Sequence, residues 1–338
     1  FAIISNMTTV ADIGEDAVLR RVDQLIQFKA LKKRPEIEII TGIGDDAASW
    51  RVLGIEVSST DCIVEGVHFR RSTFTDFAIG WKSWVTNISD IIAMGATPLG
   101  GLVTLGVPRD MLLDEFDALY EGILTACEEY QTIVFGGDIV SSPILFVSVS
   151  MIGSCDTSPL LRSTAQIGDL IAVSGPLGGA RGGLMLLEQG FAINNDTKKD
   201  LVKKQLYPIV KEGCIQLLKD PGIHAVMDLS DGLVPDLAKL TLASGVAAEI
   251  SSSLVPVSQS LLIEFPDDYM EMGLLGGEDY ELLMTGTKDA ISNFVSICPE
   301  SAVVGRVLDG TAGEVEIRDN KGKKMQLRQL KWEHFHEI

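Results

Sequence analysis

The chain has 338 residues, more than one ordinary core accommodates, and so predicts two domains, each able to bury its own apolar interior. With 46% hydrophobic and 22% charged residues, 33 glycines, 12 prolines and no long polar tract, the composition excludes intrinsic disorder. Forty-seven acidic against 28 basic residues leave a net charge of −19, which repels nucleic-acid phosphates and requires cations between the protein and any nucleotide it binds.

Phe1 to Thr9 read as a frayed leader, and the start of the chain lacks a basic segment running into an apolar stretch. Residues 14–31 carry helical spacing at Val18, Val22, Leu25 and Ile26, followed by the charged turn Lys32 to Pro35. Short strands are predicted at Glu36 to Thr41 and Ile55 to Thr60, with a tight loop, Gly42 to Ala48, between them. Helices over 76–94 and 110–130 flank an apolar strand at Gly101 to Val107, and strands at Thr132 to Phe135 and Ile144 to Ile152 complete a mixed first half. A polar segment, Asp156 to Ala165, divides a domain over 10–155 from one over 156–338. The second half restarts with a strand at Leu170 to Ser174 and the glycine-rich Gly175 to Gly183, then alternates helix and strand to about Arg318. No apolar run approaches the ~18 residues of a membrane span. The five cysteines, Cys62, Cys127, Cys155, Cys214 and Cys298, are odd in number and form no C-x-x-C, which predicts buried, reduced thiols in a cytoplasmic protein.

The chemistry lies in six acidic clusters: Gly44-Asp45-Asp46, Ser59-Thr60-Asp61, Asn87 to Asp90, Gly136-Gly137-Asp138, Asp228 to Gly232 and Gly277-Glu278-Asp279. Most are expected to follow strands or open helices, where small neighbours leave carboxylates, hydroxyls and amides free to face a metal–phosphate. Magnesium takes hard oxygen ligands, keeps several waters and shares substrate phosphate oxygens, which suits isolated aspartates. Each cluster alone also fits a turn former or helix cap, and Asp231, just ahead of Leu233, Leu237 and Leu240, fits a helix N-terminus. Six clusters with few basic residues nearby favour metal, because converging carboxylates repel unless neutralised.

G-x-x-x-x-G-K-[ST] is absent, and Gly175 to Gly183 does not fit G-x-G-x-x-G; it reads as a close-packed strand-to-helix turn or as a helix-terminal anion site. His68 fits either a structural role or a phosphate contact. No histidine has a nucleophile to serve, so a Ser-His-Asp hydrolase is unsupported.

Taken in order, Gly42 to Ala48, Ser59 to Asp61 with Val64 to Phe69, Asn87 to Ala96, Gly136 to Asp138, Asp228 to Leu233 and Gly277 to Leu283 resemble the thiamine-monophosphate kinase family, within the aminoimidazole ribonucleotide synthetase-like superfamily. The resemblance runs from about residue 14 to Phe335. It implies an α/β (mixed α+β) fold in two domains, an N-terminal mixed sheet forming a homodimer interface and a C-terminal sheet covered by helices that completes the active site. It also implies ATP-dependent phosphorylation of thiamine monophosphate to thiamine diphosphate with several Mg2+ ions. By matching position, Asp46, Ser59, Thr60, Asp61, Asp90, Asp138, Asp228 and Asp231 would hold magnesium. Tyr120, Gly137, Asp138, Arg162 and Ser230 would contact ATP, and His68, Glu278 and Trp332 the thiamine phosphate. Arg162 offers a planar fork for phosphate and Trp332 a flat face for a cationic ring, although without the resemblance they read as a surface ion pair and a core plug. Two departures are Arg181 within the glycine-rich segment and the bulky Trp81 and Trp84 ahead of Asn87.

A phosphate monoester with a second pKa of about 6 is already largely ionised near neutral pH, so direct in-line transfer needs no general base. The alternatives are a related superfamily ATP-dependent synthetase and a non-catalytic metal or nucleotide sensor. Against two superfamily substrates, the chain lacks the N-terminal reactive cysteine expected of selenophosphate synthesis and the C-terminal cysteine expected of hydrogenase maturation.

Overall fold

A computed structural model describes residues 8–29, 34–43 and 47–327. The chain divides into two compact units, one made of residues 1–91 and 96–158, the other of residues 92–95 and 159–338.

The first unit opens with α1 (Val10–Ile13) and α2 (Glu15–Lys29). Thr9 caps α1 through a reciprocal capping box with Asp12, and the Leu113 N–H donates to the Thr8 carbonyl at 2.9 Å. Thr8 and Thr9 are therefore ordered pieces of the fold, contrary to the leader expected there; residues 1–7 lie outside the described residues. Two strands follow, β1 (Ile37–Thr41) and β2 (Ser49–Val52), paired antiparallel with Ile37 opposite Val52. Trp50 of β2 stacks on Phe135 at 5.0 Å between centroids, anchoring the ribbon on the apolar group of Leu99, Ile133 and Phe135.

The main sheet is built from β3 (Ile55–Val64), β4 (Thr97–Val107), β5 (Ile133–Ser141) and β6 (Phe146–Cys155), in the order β3-β6-β4-β5. The β4–β5 pair is parallel and the other two pairs antiparallel. Between them in sequence come α3 (Asp76–Ala93) and α4 (Leu113–Glu129). Ala78, Ile79, Trp84, Val85, Ile88 and Ile91 of α3 are wholly buried, which makes α3 the central helix of this core. The two helices approach at glycine: a Cβ on Gly80 would lie 1.9 Å from the Leu119 carbonyl oxygen, and one on Gly122 2.1 Å from that of Phe77. α2 is tied to α4 by the Arg21–Asp117 ion pair and by Lys29 with Glu121 at 2.8 Å.

Among the described residues the second unit has six strands, β7 (Leu170–Val173), β8 (Ile223–Asp228), β9 (Ala247–Ser251), β10 (Leu282–Gly286), β11 (Ala302–Leu308) and β12 (Val315–Arg318), ordered β12-β9-β11-β7-β10-β8. Every pair is antiparallel except β12 with β9. Its helices are α5 (Gly179–Glu188), α6 (Asp196–Leu206), α7 (Ile215–Leu218), α8 (Leu233–Ser244), α9 (Gln259–Glu264), α10 (Tyr269–Leu275) and α11 (Lys288–Ile297). Leu233, Leu237 and Leu240 recur at helical spacing on α8 and bury against Ile171, Met227 and Leu283 of the sheet. Half of the glycine-rich run is helix: α5 starts at Gly179, and a Cβ on Gly183 would meet the Leu201 carbonyl oxygen at 2.1 Å, so these glycines let α5 and α6 touch backbone to backbone.

Four of the cysteines are buried, Cys214 and Cys298 facing each other at 2.7 Å between sulfurs, but Cys62 is exposed, contrary to expectation. It lies on edge strand β3, where alternation turns it the opposite way from the buried Ile63. Among the described residues no helix is long and apolar enough to cross a membrane.

Candidate functional site

Among the described residues of the first unit, Asp61, Asp90 and Asp138 sit inside elements rather than in loops. Ser59 and Asp61, two apart on β3, share one face of the strand. Asn87 and Asp90, three apart on α3, share one face of the helix. The two faces meet: the Ser59 hydroxyl donates to the Asp90 carboxylate, and the Asp61 N–H donates to Asn87 Oδ1 at 2.9 Å. Asn87 is wholly buried and is itself held by its amide donating to the Ser83 carbonyl at 2.9 Å. Although the Asp61 side chain reaches solvent, the protein around it and the nearby Asp90 charge push its carboxyl up to about 6.

Thr60 points to the other face, where its hydroxyl donates to the Val149 carbonyl at 3.0 Å and accepts from Ser150 at 3.3 Å. Asp138 lies within β5, opposite Thr104 of β4, with one oxygen accepting the Ile139 N–H at 2.9 Å. Because β3 and β5 are the two edges of a four-stranded sheet, three strand spacings of about 4.8 Å separate their backbones by about 14 Å, and Asp138, one residue past the row that Asp61 begins, turns to the opposite face. Gly137 ends the cross-sheet row Asp61, Val149, Val103, Gly137, and a Cβ there would lie 1.8 Å from the Val103 carbonyl oxygen. His68 turns back on β3, its Nδ1 accepting the Val64 N–H at 3.1 Å, which leaves the ring proton on Nε2. Tyr120 is buried in α4 against Phe116, and burial pushes its hydroxyl pKa up. Asp46 lies outside the described residues, as does Trp332.

In the second unit two of the predicted motifs do come together. Asp228 ends β8, and the following Leu229 to Asp231 segment is zipped to the Gly277 to Glu281 loop: Glu278 N–H to Ser230 carbonyl at 2.8 Å, Tyr280 N–H to Leu229 carbonyl at 3.0 Å and Leu229 N–H to Glu281 carbonyl at 2.8 Å. Gly277 fits because a Cβ would lie 2.3 Å from the Ser230 carbonyl oxygen. Glu278 and Tyr280 adopt φ of 68° and 50°, a left-handed conformation that non-glycine residues hold only where surrounding contacts impose it. The Glu278 carboxylate accepts from the Gln205 amide at 2.7 Å. Arg162 is exposed, with its carbonyl accepting from the Ser244 hydroxyl at 3.0 Å.

Three carboxylates serve the fold in ways the sequence does not show, one of them, Asp279, from a cluster expected to face metal. Asp279 accepts the N–H groups of Gly178 at 2.6 Å and Ala180 at 3.1 Å, so the protein's own carboxylate occupies the N-terminus of α5, where an external anion was one reading. Desolvation pushes that carboxyl up to about 7. Beneath it Glu281 accepts from Ser174 and from Lys211, the latter at 3.1 Å. Asp236, wholly buried in the first turn of α8, accepts the N–H groups of Ser230, Asp231 and Gly232, and Lys239 bridges it to Asp231. Asp231 thus has a basic partner that the expectation of few nearby cations overlooked. An acidic residue in a helix's first turn was the available signal for Asp236.

Among the described residues no three His, Cys, Asp or Glu side chains form a protein-only cage. The donor set still fits magnesium: Ser59, Asp61 and Asp90 are hard oxygen groups, and a divalent cation would relieve both the burial of Asp61, the larger cause of its raised pKa, and the smaller repulsion from Asp90.

Residues 44–155 match the family described as AIR synthase related protein, N-terminal domain, and residues 166–318 match its C-terminal domain. The thiamine-monophosphate kinase of Aquifex aeolicus is 34% identical over 321 residues, covering 94% of this chain and 99% of that protein. The chain belongs to the thiamine-monophosphate kinase family. Within that family, the crystal structure from Stenotrophomonas maltophilia is similar with a TM-score of 0.77 and 31% identity, covering 89% of this chain and 96% of the other. A structure described as AaThiL complexed with AMPPCP and TMP has a TM-score of 0.75 at 30% identity, covering 98% and 100%. The two-part mixed α/β architecture expected from the resemblance to thiamine-monophosphate kinases is the one observed.

Proposed function

We propose that this chain transfers the γ-phosphoryl group of ATP directly to the phosphate of thiamine monophosphate, giving thiamine diphosphate and ADP. The observation that carries this reading is the alignment of nearly the whole chain, 98%, with a family structure holding an ATP analogue together with TMP. The acidic surface supports it too, since a net charge of −19 accommodates two phosphorylated substrates only with cations between them.

Asp46, Ser59, Thr60, Asp61, Asp90, Asp138, Asp228 and Asp231 are the residues we assign to Mg2+. When bound, magnesium would neutralise and align phosphate oxygens. Asp61 and Asp138, on opposite edges and opposite faces of the sheet, would hold separate ions. Tyr120, Gly137, Asp138, Arg162 and Ser230 are assigned to ATP. His68, Glu278 and Trp332 are assigned to the thiamine phosphate. An imidazole suits a phosphate oxygen and a carboxylate such as Glu278 a cationic ring. The acceptor phosphate is ionised without help, so no residue acts as general base. We further propose that the chain works in the cytoplasm as a homodimer joined through the sheet of the first unit.

The test is ADP release followed with thiamine monophosphate, with thiamine and without magnesium. Release only with both the monophosphate and magnesium supports the assignment; equal release with thiamine removes the phosphate-acceptor mechanism.

A further inference from the structure

Asp236 and Lys239 are absorbed by none of the roles above, yet they organise the loop that bears Asp231. Asp236 is wholly buried, and its Oδ2 accepts three consecutive backbone N–H groups, from Ser230 at 3.0 Å, Asp231 at 2.9 Å and Gly232 at 3.2 Å. Gly232 completes this arrangement with φ of 116°, where a Cβ would press on the Leu275 backbone at 2.8 Å. The loop is thereby fixed from within, and those N–H groups are already engaged. Oδ1 of Asp236 takes the Lys239 ammonium at 2.7 Å, and the same ammonium reaches Oδ2 of Asp231 at 2.5 Å. Lys239 is half-exposed at the loop's surface and Asp231 likewise, so one cation spans a buried and an accessible carboxylate.

We propose that Asp236 is a positioning residue for the Ser230 to Gly232 loop, and that Lys239 is its internal counter-cation, competing with a divalent ion for Asp231. The inference rests on the reading of Asp231 as a metal ligand. Lys239 occupies one oxygen of Asp231 and adds a positive charge beside any incoming ion; both effects weaken divalent binding there. A half-exposed ion pair is worth about 0.5–1 kcal/mol, so removing the ammonium strengthens divalent binding at this position by roughly two- to fivefold.

The experiment titrates Mn2+ against the full chain by electron paramagnetic resonance, with Asp231→Asn defining which bound ions depend on Asp231. Lys239→Met is expected to tighten that class two- to fivefold, and Lys239→Arg to leave it near the parent value. In Asp236→Asn, the amides of residues 230–232 are expected to exchange with deuterium at least several-fold faster than in the parent, while amides of β9 do not change. Unchanged or weakened Mn2+ binding in Lys239→Met overturns the competition, and unchanged amide exchange overturns the positioning role. If Asp231→Asn loses no Mn2+ class at all, the metal reading of Asp231 fails first, and that outcome is visible before the lysine variants are compared.

Discussion

Replacing Asp279 by asparagine isolates the cost of keeping a carboxylate at the start of α5. In the parent, desolvation outweighs the two donated N–H bonds, from Gly178 and Ala180, and lifts the carboxyl from 3.8 to about 7. A group whose folded pKa is raised binds its proton more tightly in the folded state. Its contribution is full below about pH 4, falls as pH rises through the interval to about 7, and is flat above that. A lift of about three pH units corresponds to at most roughly 4 kcal/mol, and the side chain's residual solvent access brings it toward half that value. Asparagine cannot titrate, and its single oxygen serves one of the two N–H groups well, at a cost of about 1–3 kcal/mol. Asp279→Asn is therefore expected to be less stable than the parent at pH 4 to 5 and equal to it or more stable at pH 8. Urea denaturation at half-unit pH steps measures the two curves. Parallel curves for parent and variant across that range would refute the reasoning, because they would mean that Asp279 does not titrate between the two states.

Other outcomes follow from the same contacts. Asp61→Asn is expected to raise the Mg2+ concentration needed for half-maximal turnover by at least tenfold, and the parent's Mg2+ affinity, measured by calorimetry, is expected to fall below about pH 6 as Asp61 takes up its proton. Asp46→Asn is expected to abolish turnover with little change in thermal unfolding; activity retained at saturating magnesium would remove Asp46 from the ligand set. Gly183→Ala places a methyl 2.1 Å from the Leu201 carbonyl oxygen, which α6 backbone cannot yield cheaply, and is expected to cost about 1–3 kcal/mol in a thermal melt.

Helical periodicity carried the helices well. The spacing in residues 76–94 and 110–130 was read to within three residues of α3 and α4 because apolar side chains recur there on long segments. Strands were shortened wherever glycine, proline or aspartate entered them. β4 begins at Thr97 and includes Pro98 and three glycines, β5 runs on through Gly136 to Ser141, and β3 continues past Asp61 to Val64. In each case pairing with a neighbouring strand overrides local propensity, and such pairing leaves no mark on a single segment. β2 went unpredicted because its four residues gain their stability from Trp50 stacking on the distant Phe135.

The candidate site was legible as a set of acidic motifs but not as an arrangement. Neither the meeting of Ser59 with Asp90 nor the zipping of the Ser230 and Glu278 loops has a sequence period, since each joins elements dozens of residues apart. Asp236 and Glu281 carry no mark as support residues, and Asp279 reads as part of a metal-facing cluster, because a buried carboxylate and a solvated one look alike in sequence. Only the enclosing donors distinguish them, backbone N–H groups around Asp236 and Asp279 and the Ser174 hydroxyl and Lys211 ammonium around Glu281. The bulky Trp84, noted as a departure, is wholly buried with its indole N–H donating to Thr132 at 2.9 Å, and so packs the core of the first unit behind the acidic face of α3.

The most direct test of the central claim is phosphorus NMR of the purified chain with ATP, thiamine monophosphate and magnesium. The paired diphosphate signals of thiamine diphosphate are expected to grow in step with ADP, and neither signal is expected when magnesium is left out or thiamine replaces the monophosphate. Intact ATP, or ADP accumulating with inorganic phosphate and no thiamine diphosphate, would contradict it.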